Sequence, residues 1–259
     1  MSCSNRFEML VATHNPGKIR EIQRALHFLP IKLHYLNEFP SVSPVDEVGQ
    51  TYQENAVRKA LDYARQTGVS SLADDSGLEV DALDGMPGIF SARFAGNHAS
   101  DGARIERVLM ELSEYPDRKR TGRFVCCIAL AGWQPSERAI NKTDPYLLTV
   151  TEAKCEGVIT TSPRGLHGFG FDPIFVPLGY EATFGELSPD VKATIGHRGL
   201  ALASMRSFIE QWLRLTCPLL QAHLECSLLR WVVRGVAQPG SALGLGPRGR
   251  RFKSSRPDH

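Results

Sequence analysis

The chain has 259 residues, 42% of them hydrophobic and 22% charged, with a formal net charge of +2; that is length enough for one large domain or two small ones with an ample core. The composition is that of an ordinary globular protein and excludes collagen-like, wholly disordered and disulfide-dense classes. Residues 219–259 carry seven Lys/Arg against Glu225 and Asp258, a net +5, which leaves 23 basic and 26 acidic groups in the first 218 residues, so the body has no overall positive field to recruit nucleic acid.

No apolar run reaches the roughly 18 residues of a membrane span, and the opening MSCSNRFEML has no basic segment followed by a long apolar one, so no signal peptide is expected. Cys3, Cys126, Cys127, Cys155, Cys217 and Cys226 make no C-x-x-C pair. Reduced thiols in a soluble, cytoplasmic protein are expected.

In chain order, FEMLVAT (7–13) reads as a buried strand entering the turn H-N-P-G-K, after which Ile19, Ile22, Leu26 and Leu29 take helical spacing until Pro30. IKLHYL reads as a second strand. Tyr52, Ala56, Ala60, Leu61 and Ala64 mark a helix over 51–67 with Gly68 at its C-terminal cap. VSSLADDSG reads as a strand running into an acidic pair, LEVDAL as a period-two segment, and 103–114 as an amphipathic helix. RFVCCIALAGW and YLLTVTEAKCEGVI read as an antiparallel pair, with Cys126 and Cys127 on opposite faces. SPDVKATIGHRGLALASMRSFIEQWLRL reads as one helix to about Leu215. The sum is an α/β fold with a mixed sheet. From Pro218 the Gly/Pro/Ser/Arg-rich texture predicts a basic, disordered tail over 218–259, which either is solvated and inert or contacts RNA or acidic partners.

Four clusters carry candidate chemistry. ATHNPGK joins a strand to a helix N-terminus, where unpaired amides with Thr13, Asn15 and Lys18 suit a phosphate; an ordinary capped turn is the competing reading. Asp74 and Asp75 end an apolar run, and such repulsion is tolerable beside a divalent cation or several donors; the alternative is an Asx turn. In GFGFDPIF, Gly168 and Gly170 permit close backbone approach, Phe169 and Phe171 can stack on a flat ring, and Asp172 can accept hydrogen bonds, whereas aromatics also build cores. In KATIGHRG, Lys192 and Arg198 can grip phosphate or base oxygens, with His197 beside them; the alternative is a solvated basic face.

Together ATHNPGK, ENAVRKA, ADDSGLEVDALDGMPGIFSARFAG, GFGFDPIF and K-x-x-x-x-H-R-G resemble, in order and spacing from about Phe7 to Leu215, the inosine triphosphate pyrophosphatase family, the XTP/dITP diphosphatases, in its bacterial form. The resemblance implies an elongated mixed sheet with flanking helices, two lobes around a nucleotide cleft, and a pyrophosphatase domain over 1–217. It implies Mg²⁺-dependent hydrolysis of ITP, dITP and XTP to monophosphate and pyrophosphate by a homodimer. By position, Thr13, His14, Asn15, Pro16, Gly17 and Lys18 would hold phosphates, and Asp75 would be the metal-linked catalytic carboxylate with Ser76 contacting substrate beside it. Phe169, Gly170, Phe171 and Asp172 would form the nucleoside pocket, Lys192, His197 and Arg198 would contact base and phosphate, and Glu47 would be a second metal carboxylate. Two rivals are a septum-inhibitor-type pyrophosphatase acting on modified pyrimidines and a nucleotide sensor or RNA-binding module using the tail.

Overall fold

The computed structural model describes residues 7–113, 120–133 and 144–216; the expectation of a disordered tail over 218–259 lies outside them. Six strands form one sheet, β1 (Phe7–Val11), β2 (Ile31–Tyr35), β3 (Ser70–Val80), β4 (Thr121–Gly132), β5 (Tyr146–Ile159) and β6 (Phe175–Pro177), in the order β2-β1-β3-β4-β5-β6. β2, β1 and β3 run parallel and the remaining pairs are antiparallel, so the expected mixed sheet is present. The helices are α1 (Pro16–Leu26), α2 (Tyr52–Thr67), α3 (Asp101–Glu111), α4 (Pro189–Ile195) and α5 (His197–Thr216). No described helix is long and apolar enough to cross a membrane.

Local chemistry sets the helix limits. Thr51 caps α2 by accepting from the Glu54 amide at 3.1 Å, and Gly68 ends it at φ 68°, a left-handed conformation in which a side chain would be strained. The last helical region departs from expectation. It is two helices, because Gly196 is extended (φ −75°, ψ 151°) after its amide closes on the Lys192 carbonyl. Lys192, Gly196 and Gly199 therefore do not share one helical side; Lys192 lies on α4, and His197 and Arg198 open α5. VSSLADDSG and the LEV of LEVDAL likewise merge into the single strand β3, and Asp81–Leu83 form a 3-10 turn after it.

Alternation along β3 creates the site. Leu72 packs with α1 and α5 in one core, Leu78 and Val80 pack with α3 in another, and on that same face between them stand Asp74 and Ser76. The opposite face, carrying Ala73 and Asp75, is covered by α2. Cys126 and Cys127 divide between the two faces as expected. β1 pairs with β3 from Met9↔Ser70 to Val11↔Leu72, so from Ala73 onward that edge of β3 has no β1 partner.

Candidate active site

The first turn of α1 is not the open amide nest the sequence suggested. The Asn15 carboxamide accepts from the amides of Gly17 (2.8 Å) and Lys18 (3.2 Å), Pro16 has no N–H, and the Ile19 amide is taken by the Asn15 carbonyl. The turn is a capped one, held further by the Asn15 amide donating to Thr13 Oγ1 at 3.2 Å. His14 and Pro16 are exposed, and of this loop Asn15 and the Lys18 ammonium line the cleft.

Asp74 is fully buried and faces two cations, Lys18 Nζ at 2.8 Å and Arg198 Nε at 2.9 Å. Burial alone would raise its pKa, but Lys18, Arg198 and Lys59 outweigh burial and hold it well below the usual carboxylate range. Arg198 also donates to Ser76 Oγ (2.7 Å) and pairs with Glu21 of α1 (2.6 Å), while Lys192 pairs with Glu21 (2.9 Å) and Asp172 (2.6 Å). This web joins α1, β3, α4, α5 and the aromatic loop.

Asp75 lies across the sheet. Asn55 Nδ2 donates to it at 3.1 Å and Lys59 Nζ at 3.2 Å; the same ammonium meets Glu47 at 2.6 Å and the Asp74 carbonyl at 2.7 Å. Burial first and Glu47 second raise the Asp75 pKa against the pull of Lys59. Glu47 shifts the other way, its burial overcome by Lys59 and Lys18. Lys59 stays protonated because Asp75, Glu47 and Asp74 outweigh its desolvation.

The aromatic loop closes the other side. The Phe169 ring packs against Gly17, where a Cβ would collide with it, and its centroid lies 4.6 Å from Lys192 Nζ and 5.5 Å from the Arg198 guanidinium carbon. Asp172 is buried, accepting from the Phe169 amide at 2.8 Å as well as from Lys192. Phe171 is a core residue packed with α3 that also lines the cleft. His197 is buried and stacks on Phe124 at 4.5 Å; burial, Arg198 and Lys192 push its pKa well below the usual value, and its Nδ1 has no partner. A cavity of about 110 Å³ runs between Lys18, Ser76, Phe169, Lys192 and Arg198, and one of about 420 Å³ opens behind Phe169 between α1, α4 and α5.

The chain matches the Ham1 family across residues 9–208. It is 41% identical over 205 residues to a dITP/XTP pyrophosphatase of Bacillus cereus, covering 79% of this chain and 96% of the relative. The chain belongs to the Ham1 family. A dITP/XTP pyrophosphatase of Syntrophobacter fumaroxidans is 44% identical over 241 residues, 93% of this chain and 95% of that one. A match of that length extends past residue 217, so the C-terminal segment, for which the motifs offered no counterpart, is partly spanned by it. A solved Ham1 protein from Coxiella burnetii superposes with TM-score 0.69 at 41% identity, covering 79% of this chain and 99% of that one.

In this Ham1-family chain the structure brings together Lys18, Ser76, Phe169, Asp172, Lys192, His197 and Arg198 around the cleft, while Asp75 and Glu47 meet at Lys59 of α2. It adds Asn55, Lys59, Glu21 and Arg93, the last 3.8 Å from Glu47. Asn55 and Lys59 carried a signal: they are polar residues one turn apart among the buried Tyr52, Ala56 and Ala60 of α2. Glu21 and Arg93 carried none.

Proposed function

We propose that this chain hydrolyses deaminated purine nucleoside triphosphates, ITP, dITP and XTP, to the monophosphate and pyrophosphate, removing them from the nucleotide pool. Within a family whose relatives are named dITP/XTP pyrophosphatases, the reading rests on one observation above all: Glu47 and Asp75 converge on the Lys59 ammonium one residue along β3 from Ser76, which lines a cleft together with Lys18, Phe169, Lys192 and Arg198.

The donor set suits Mg²⁺. Among the described residues no three His, Cys, Asp or Glu side chains form a closed cage, but Mg²⁺ takes one or two carboxylates and completes its shell with water and substrate phosphates. Glu47 and Asp75 would hold it; burial first and then Glu47 disfavour the Asp75 carboxylate, and another cation would favour it. When bound, the ion would neutralise phosphate charge and order water. Lys18 and Lys59 bind the triphosphate oxygens, and Asp75, fixed by Asn55, orients the attacking water and accepts its proton.

Phe169 stacks on the purine, and Lys192, Arg198 and His197 Nδ1 meet its six-position. Hypoxanthine and xanthine present an acceptor oxygen there, whereas the amino group of adenine leaves buried donors unpaired. Pyrophosphate release measured with ITP, dITP, XTP, ATP and UTP, with and without Mg²⁺, tests the reading: the first three should turn over at least ~100-fold faster than ATP and only with the metal. Equal rates on ATP, or faster hydrolysis of UTP, would sink it.

Gly17→Ala puts a methyl group where the Phe169 ring sits. Shifting that platform should lower kcat/KM for ITP about tenfold to a hundredfold, read by steady-state kinetics. Unchanged kinetics would remove Phe169 from the base site. We further propose a cytoplasmic homodimer. Cys126, Cys127 and Cys155 are buried free thiols, as suits a reducing compartment, and a sedimentation-equilibrium mass of one chain would dismiss the dimer.

A further inference from the structure

The backbone on both sides of Phe169 is left-handed glycine, Gly168 at φ 77° and Gly170 at φ 62°. Such a segment is the freest the chain can make and needs fixing from outside to hold a ring still. One anchor is internal, from the Phe169 amide to Asp172. The second comes from across the cleft. Asp101, the first residue of α3, accepts from the Gly170 amide through Oδ2 at 2.7 Å. Its other oxygen pairs with Arg104, one turn further along α3, and Arg104 Nη1 donates to the Ala92 carbonyl at 2.8 Å. Ala92 lies in the Gly88–Arg93 turn, beside Arg93 and Glu47. The Ala92–Arg104–Asp101–Gly170 chain thus braces the aromatic loop against the Gly88–Arg93 turn across the cleft.

We propose that Asp101 is a positioning residue for the base platform: by fixing the Gly170 amide it holds the Phe169 ring in the attitude that receives the purine. The inference rests on the stacking role of Phe169 given above. It predicts a loss confined to ligands that carry a base. Inhibition of ITP hydrolysis in the presence of Mg²⁺ by inosine monophosphate and by inorganic tripolyphosphate separates the two ends of the cleft.

Asp101→Ala should raise the inhibition constant of inosine monophosphate about tenfold, the loss expected of one part-buried hydrogen bond to a carboxylate with its ordering effect, and leave tripolyphosphate within about twofold. Asp101→Asn keeps an acceptor for Gly170 and should restore most of the loss. A general packing defect would weaken both inhibitors alike, and that result overturns the proposal, as does an Asn variant no better than Ala. Phe169→Ala is the control. If it weakens inosine monophosphate and Asp101→Ala does not, the positioning role alone falls; if Phe169→Ala changes nothing, the stacking reading falls and this inference with it.

Discussion

Asp75→Asn should lower ITP turnover by about a thousandfold, in the range set by loss of a positioned base, with the fold retained. The carboxylate has two donors, Asn55 Nδ2 and Lys59 Nζ. An amide in its place offers one acceptor oxygen and turns an N–H₂ group towards the other donor. Asn55 cannot flip to help without losing the bond its Oδ1 accepts from the Gly49 amide at 2.8 Å. The mismatch costs about 1–3 kcal/mol, offset in part because Asp75 no longer repels Glu47. Lys59 keeps Glu47 and the Asp74 carbonyl, so the site stays assembled while its base is gone. Pyrophosphate release and urea unfolding on the same preparation decide it. A folded variant within tenfold of wild-type turnover would take Asp75 out of the chemistry.

The elements were legible wherever the signal was local. The buried stripe and Gly68 marked α2, and strict alternation put Cys126 and Cys127 on opposite faces, because period two belongs to the backbone itself. What the sequence hid was tertiary. Apolar periodicity runs on through 189–216, and only the extended ψ of Gly196 splits it. Asn15 in the turn reads equally as a phosphate ligand or a cap, and the structure shows its carboxamide on the amides of Gly17 and Lys18. Asp74 and Asp75 are adjacent in sequence yet serve different networks, Asp74 clamping Lys18 to Arg198 and Asp75 standing with Glu47. That division depends on which helix covers which face. Glu21 is one polar residue among several on α1 until α4 and α5 bring Lys192 and Arg198 to it.

Arg198→Met should cost about 3–5 kcal/mol of stability, the penalty for stranding a buried ion-pair partner. The Arg198 side chain is 3% exposed and its partner Asp74 is 0% exposed. With the guanidinium gone, Asp74 Oδ2 and Glu21 Oε2 each lose a cation and Ser76 Oγ loses a donor. Lys18 still faces Asp74 Oδ1, so the variant can fold. Arg198→Lys should recover only part of the loss, because a single ammonium nitrogen cannot reach three partners that Nε, Nη1 and Nη2 of a planar fork each meet separately. The pH dependence carries its own sign. The folded pKa values of Asp74 and Glu21 are both lowered: burial opposes the shift, and Lys18 with Arg198 at Asp74, and Arg198 with Lys192 at Glu21, override it. A carboxyl group with a lowered folded pKa contributes stability above its unfolded value, near pH 4, and loses it as pH falls towards the folded value. Removing Arg198 raises both folded values towards the unfolded ones. The variant should therefore be less stable at neutral pH and should lose less further stability on acidification than wild type. Urea unfolding free energies at pH 7 and pH 3.5 measure both effects, and equal pH slopes in the two proteins would show that Arg198 does not hold these carboxylates ionised.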